Sequence, residues 1–225
     1  MESKDVSILN RKGADTMKKF FTAVPLQHKP EGLELLAYEA VGNTDLQMDA
    51  ETSFPILTAI NGYAKPGEDF RLIAVMADSE ATQCNRDELS RQLSSLCERR
   101  ELTCSHGVET VLVGDDQTVA THITTFQALL DYVDDDDELF CCMTFGTKPL
   151  SQAIMLAVQY AYRVKRNASI SCIVYGEVDR TGPKPWKKGK IYDMTALIQL
   201  DEIVRMLADR KVADPKRILE HILSL

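Results

Sequence analysis

Short apolar runs alternate with amphipathic stretches along most of the chain. Continuous apolar runs, which are typical of strands covered on both faces of a sheet, predict strands at 19–25, 70–77, 109–114, 138–144 and 169–175. Apolar residues spaced one helical turn apart predict helices at 52–63, 85–100, 123–133, 150–165, 197–209 and 215–223. The alternation predicts an α/β fold with a mainly parallel, Rossmann-like sheet and helices on both faces.

Other segments have weaker patterns. Partial alternation within 33–48, around Gly42-Asn43-Thr44, predicts a hairpin, and 190–195 predicts a short edge strand. The four aspartates at 134–137 lack the spacing of an EF-hand and predict a solvated turn. We therefore expect a polar leader at 1–17, one domain at 18–209 and a C-terminal helical extension at 210–225.

The net charge restricts which classes of partner the protein can bind. The 26 basic and 34 acidic residues give a net charge of −8, which repels bulk nucleic acid, so any polyanion must meet a local positive site. No apolar run approaches the roughly 18–20 residues that cross a bilayer, and residues 1–15 are too polar for a secretory signal. We expect a cytoplasmic protein without a membrane partner.

Metal and redox chemistry have little support in the sequence. The six cysteines include no C-x-x-C pair, so neither a disulfide scaffold nor a zinc site is indicated. Adjacent Cys141 and Cys142 lie in an apolar run, which favours small buried strand residues. The H-E-x-x-H and G-x-S-x-G motifs are absent as well. We expect no metal and no cofactor.

Candidate binding residues follow the predicted strands, because ligands of parallel α/β sheets lie at the carboxyl ends of the strands. This rule selects three turns. They contain the candidate ligand residues Ala23, Val24, Pro25, Leu26 and Gln27, then Asp78 and Ser79, and finally Thr144, Phe145, Gly146, Thr147 and Lys148.

The third turn, Thr144-Phe-Gly-Thr-Lys148, carries the most chemistry. It combines two hydroxyls, a glycine that permits close backbone approach, a cation and a following helix whose N-terminus favours anions. It matches neither the P-loop nor the dinucleotide-binding glycine motif. Two interpretations stay open here, a phosphate or ribose site and an ordinary strand-to-helix turn with a solvated lysine.

Four stretches resemble the CARF (CRISPR-associated Rossmann-fold) sensor domains, in particular the subgroup with an Asp-x-Thr-His-Gly signature. Cys142-Met-Thr-Phe-Gly146 aligns with that signature, and Lys148 with its downstream basic residue; Cys142 and Phe145 replace the signature's aspartate and histidine. The other three stretches are Phe20–Pro25, then Tyr38–Gly42 with Glu51–Ala59, and Ile173–Glu177 with Ile191–Thr195.

The resemblance implies a homodimer that binds a cyclic oligoadenylate across its two-fold axis. This ring, most often of four adenylates, is the second messenger of type III CRISPR antiviral defence. One Lys148 per chain would supply charge, and backbone N–H groups of Gly146, Thr147 and the Val24–Gln27 turn would complete the site. Phe145 would stack on an adenine or pack against the helix. Few residues follow the domain, so the effector of a sensor would be a separate partner, or this chain is an isolated sensor portion.

Two alternatives stay open beside the non-catalytic sensor. The resemblance also implies a possible ring nuclease, which cuts the messenger without a metal, and its candidate catalytic residues are Lys148, Thr147 and Ser53. A Rossmann-like enzyme using a mononucleotide or nicotinamide cofactor is the second alternative. The missing early glycine motif argues against it.

Overall fold

A seven-stranded sheet organises the protein. The computed structural model describes residues 16–27, 32–114, 116–182 and 184–224, so most of the predicted leader lies outside the described residues. The strands are β1 (Lys18–Ala23), β2 (Ala37–Val41), β3 (Phe70–Ala77), β4 (Val108–Val113), β5 (Glu138–Cys142), β6 (Ser169–Val178) and β7 (Lys188–Asp193). Their order is β2-β7-β6-β5-β1-β3-β4.

Five neighbouring strands, from β6 to β4 in that order, run parallel. β7 runs antiparallel to β6, and β2 is parallel to β7. The mainly parallel α/β sheet that the sequence predicts is therefore confirmed.

Within the described residues, six α-helices connect or follow these strands. They are α1 (Ile56–Tyr63), α2 (Glu80–Arg100), α3 (Val119–Leu130), α4 (Lys148–Val164), α5 (Thr195–Asp209) and α6 (Pro215–Leu223). α2 begins five residues before its predicted start, because Ser79 and Thr82 form a capping box that satisfies the first N–H groups. None of the helices in the described part of the chain has the length and apolarity needed to span a membrane.

Alternate side chains of the central strands pack into two hydrophobic cores, one on each face of the sheet. Phe20 packs with residues of α1 and α2 on one face of the sheet, and Phe21 packs with residues of α3 and α4 on the other. The rings of Phe20 and Phe140 stack with centroids 4.4 Å apart. Burial on both faces explains why these strands are continuous apolar runs, and it confirms helices on both faces.

Two local predictions are wrong. The hairpin around Gly42-Asn43-Thr44 does not form, because the Asn43 side chain accepts a hydrogen bond from the Asp45 N–H and starts a 3-10 helix over Thr44–Leu46. β2 instead pairs in parallel with β7. β7 is consequently an interior strand between β2 and β6, whereas the sequence predicts an edge strand there.

The aspartate run is a turn, but it is not fully solvated as predicted. Asp137 is 2% exposed, and its Oδ2 lies 2.7 Å from Nζ of Lys19, which is buried in β1. Desolvation explains why a buried charge requires such a partner. The prediction that Cys141 and Cys142 are buried strand residues is confirmed.

Candidate functional site

A groove of about 970 Å³ opens at the carboxyl edge of the parallel strands. The turns after β1 and β5 and the end of β6 form one side of it, and residues around the start of β2 and β7 form the other. This is the edge at which parallel α/β sheets bind their ligands.

The groove brings together only part of the predicted site. Its lining includes the predicted residues Pro25, Leu26, Gln27, Ser53, Thr144, Phe145 and Gly146. The lining does not include the other predicted residues, which are Ala23, Val24, Asp78, Ser79, Thr147 and Lys148.

Local hydrogen bonds explain why several residues are not in the lining. Val24 is buried, and its N–H donates to the carbonyl oxygen of Val75 at 2.9 Å, so the predicted use of this N–H for an anion is wrong. The Ser79 hydroxyl accepts from the Thr82 N–H and caps α2. Asp78 accepts from the Gln83 side chain at 3.0 Å. The turn after β3 is thus built to start a helix.

The β5–α4 turn presents its backbone to the groove. The Thr144 hydroxyl accepts from the Gly176 N–H at 2.8 Å, which fixes the turn to β6. Gly146 has φ +92°, and an added Cβ would lie 3.0 Å from the Cβ of Ala23. Among the hydrogen bonds of the described residues, none uses the N–H of Gly146 or Thr147. Two adjacent N–H groups are therefore available to an anion.

The three candidate residues for ring cleavage do not meet in the groove. Lys148 is exposed as the first residue of α4. Thr147 caps that helix, with its Oγ1 accepting from the Leu150 N–H at 3.4 Å. Ser53 lines the groove but is 4% exposed, and its hydroxyl accepts from Gln92 Nε2 at 3.3 Å. Each of the two hydroxyls already has a structural role.

Aromatic side chains form the floor of the groove. Phe145 is half-buried, and its ring meets that of Phe54 edge to face, with centroids 6.3 Å apart. The buried Tyr38 ring lies against Gly189, where an added Cβ would be 2.7 Å from Tyr38 Cε1. Burial raises the pKa of Tyr38, so its hydroxyl stays protonated at neutral pH.

β6, β7 and the connection between them supply groove residues that the sequence analysis did not identify, namely Tyr175 in β6, Arg180 and Trp186 in the connection, and Lys190 in β7. Five of the 26 basic residues and the only tryptophan lie within 180–190. That concentration of cations around one tryptophan is a signal in the sequence. It does not by itself place these residues at the site, because they reach the groove through the antiparallel pairing of β7 with β6.

Carboxylates in the groove are held by hydroxyl donors. Glu177 accepts from the Tyr192 hydroxyl at 2.9 Å, and this hydrogen bond raises the pKa of Tyr192. Hydrogen bonds from Thr181 lower the pKa of Asp179, which is ionised at neutral pH. In the described part of the chain, no group of three His, Cys, Asp or Glu side chains has an arrangement suited to a metal ion.

Comparison with known proteins adds no family assignment. No family model matches the chain, and no curated protein matches it. The groove and the residues around it therefore carry the functional inference.

Proposed function

We propose that the protein is a sensor that binds a cyclic oligoadenylate, with cyclic tetra-adenylate as the first ligand to test. The ligand class comes from the resemblance to CARF domains. The observation that carries the proposal is the groove at the carboxyl edge of the sheet, where Gly146 lines the groove with an unused N–H group and is followed by the unused N–H of Thr147, just before α4. Backbone N–H groups at a helix start are suited to phosphate.

Local charge supports an anionic ligand. The chain as a whole carries −8 and repels polyanions at long range. Arg180 and Lys190 line the groove and provide positive charge, and the acidic residues Glu34, Glu177 and Asp179 line it as well. A small ring with few phosphates can place them at the two cations without extending over the acidic remainder of the surface.

A homodimer is part of the proposal. A ring of four equivalent adenylates has internal symmetry, so two copies of one chain can offer it identical turns across a two-fold axis. Lys148 is exposed at the start of α4, outside the groove of its own chain. In the proposed dimer one Lys148 from each copy adds charge at the ring. The bound dimer then acts on a separate effector protein.

The geometry favours sensing over ring cleavage. In-line attack requires a positioned nucleophile and a group that stabilises the developing charge. Of Lys148, Thr147 and Ser53, only Ser53 lines the groove, and its hydroxyl is hydrogen bonded to Gln92. Cleavage by these residues would require a rearrangement of the turn before α4.

The test combines binding with product analysis. The full chain is titrated with labelled cyclic tetra-adenylate, and the bound fraction is resolved chromatographically over several hours. We expect tight binding of an unchanged ring. Linear di-adenylate with a cyclic phosphate end would contradict a pure sensor and support a ring nuclease. Lack of binding by rings of any size would contradict the proposal.

Lys148→Ala tests the predicted contribution of this lysine. Loss of a charge-assisted contact predicts binding weaker by about 1–3 kcal/mol. The matched control is Lys65→Ala, which removes an exposed lysine just before β3, at the opposite edge of the sheet. Equal affinities of the two variants would remove Lys148 from the binding site.

A further inference from the structure

The connection between β6 and β7 holds a tryptophan with cations on its ring. The Trp186 indole Nε1 donates to the carbonyl oxygen of Gly182 at 3.1 Å, which fixes the orientation of the ring. Arg180 Cζ lies 5.4 Å from the ring centroid, and Lys184 Nζ lies 4.8 Å from it. These distances are those of cation–π contacts. The tryptophan, and Arg180 with it, line the groove.

The two groove cations form no salt bridge among the described residues, although Lys190 is near enough to Asp179 to help lower the pKa of that carboxyl group. No salt bridge in that part of the chain involves Arg180 or Lys190. Arg163, by contrast, contacts both Asp201 and Glu202 at 2.5 Å. The Arg180 guanidinium is therefore available to an external anion, and it can contact a phosphate through two N–H groups.

A second aromatic ring lines the groove beside the partly buried Trp186. Tyr175 on β6 is 41% exposed and lines the same groove as Trp186. Flat aromatic surfaces beside cations bind nucleic-acid bases by stacking, and the cations take the phosphates. A volume of about 970 Å³ lies in the range of small-molecule sites, so the groove has room for a nucleotide.

We infer that the groove of a single chain binds one adenylate unit, with its base against Trp186 and its phosphate at Arg180 and Lys190. The choice of adenylate rests on the proposed function, whereas the two recognition elements rest on the groove. Phosphate recognition within one chain is thereby assigned to the β6–β7 connection and not to Lys148. AMP, which contains one such unit, is the probe.

Trp186 reports on this site directly because it is the only tryptophan of the chain. The full chain is titrated with AMP and with adenosine while the tryptophan emission is recorded, and equilibrium dialysis measures binding independently. We expect AMP to quench the emission, and adenosine, which lacks the phosphate, to bind at least about 10-fold more weakly.

Variants of the two groove cations test whether they bind the phosphate of AMP. Arg180→Ala with Lys190→Ala removes both groove cations and should weaken AMP binding by about 10- to 100-fold, whereas Lys65→Ala should change it less than about two-fold. The single variants are measured beside the double variant, and far-ultraviolet circular dichroism shows that each is folded. Equal AMP affinity of the Arg180→Ala, Lys190→Ala and Lys65→Ala variants would overturn the inference.

The outcomes separate this inference from the proposed function. If AMP fails to bind, or binds in dialysis without changing the Trp186 emission, the inference is overturned, even when cyclic tetra-adenylate binds in a manner that depends on Lys148. If AMP binds with the expected dependence on Arg180 and Lys190 while no cyclic oligoadenylate binds, the inference is upheld and the proposed function is overturned.

Discussion

Residue 146 is restricted both by its backbone conformation and by its neighbours. Its φ of +92° is a conformation that glycine adopts readily and other residues do not, and the Ala23 Cβ lies 3.0 Å from the position of an added Cβ. We predict that Gly146→Ala lowers the free energy of unfolding by about 1–3 kcal/mol. Urea denaturation measures the change.

Gly182→Ala is the control for this prediction, because no atom lies within 4 Å of the position of its added Cβ. We expect a change below about 0.5 kcal/mol for the control. Equal stabilities of the two variants would show that the β5–α4 turn is not constrained as described.

Asp137 differs from its neighbours in the aspartate run because it is buried against Lys19. Removing one member of a buried ion pair leaves the other charge without full compensation, so Asp137→Asn should cost about 3 kcal/mol of folding free energy. Asp135→Asn is the matched control; its side chain is 48% exposed and should cost less than about 1 kcal/mol. Thermal denaturation compares them, and similar losses would contradict the buried pair.

At the scale of elements, the periodicity of apolar residues is sufficient to predict most of the helices and the central strands. The strands β1, β3 and β5 are covered on both faces, so their apolar runs are unambiguous. β2 and β7 are short and partly exposed, and their pairing depends on which distant strand each meets. The sequence pattern does not contain that information, so the hairpin and the edge strand were predicted wrongly.

The same missing information on strand pairing explains why only some residues of the candidate site could be predicted from the sequence. Thr144 and Gly146 could be predicted because they follow a clear strand at the carboxyl edge of a parallel sheet. Arg180, Trp186 and Lys190 could not, because they reach the groove through the antiparallel pairing of β7 with β6, and the sequence pattern shows neither the partner nor the direction of that short strand. Thr147 was predicted from its position, but the hydroxyl caps α4.

The pairing of β3 with β4 includes a cross-strand ion pair with a testable pH dependence. Arg71 Nε lies 2.7 Å from Glu109 Oε1, and the hydrogen bond lowers the pKa of Glu109 from its ordinary value of 4.5. The folded state therefore favours the carboxylate. Its stabilising contribution is complete above about pH 4.5 and is lost as the pH falls through the lower, folded pKa.

Glu109→Gln should lower the free energy of unfolding by about 1–2 kcal/mol at pH 7, and the difference from the unmodified chain should shrink as the pH falls below 4.5. Urea denaturation across this range measures it. Glu220→Gln, which removes an exposed carboxylate of α6, is the control and should have a small effect at every pH. A loss for Glu109→Gln that stays constant down to acid pH would contradict the account.

At the scale of the whole molecule, an acidic protein is proposed to bind an acidic ring. This is physically reasonable only if the positive charge is concentrated where the ring lies, and the cations within 180–190 together with Lys148 provide that concentration. Electrostatic binding of this kind weakens as salt screens the charges. The two-fold axis of a dimer would double the local charge available to one ring.

The most direct test of the central claim is the mass of the complex measured by native mass spectrometry. The chain has a mass of 25.2 kDa, and the unliganded protein is mixed with an excess of cyclic tetra-adenylate. We expect a complex of two chains with one intact ring. A monomer that carries no ring, for cyclic adenylates of every size, would contradict it.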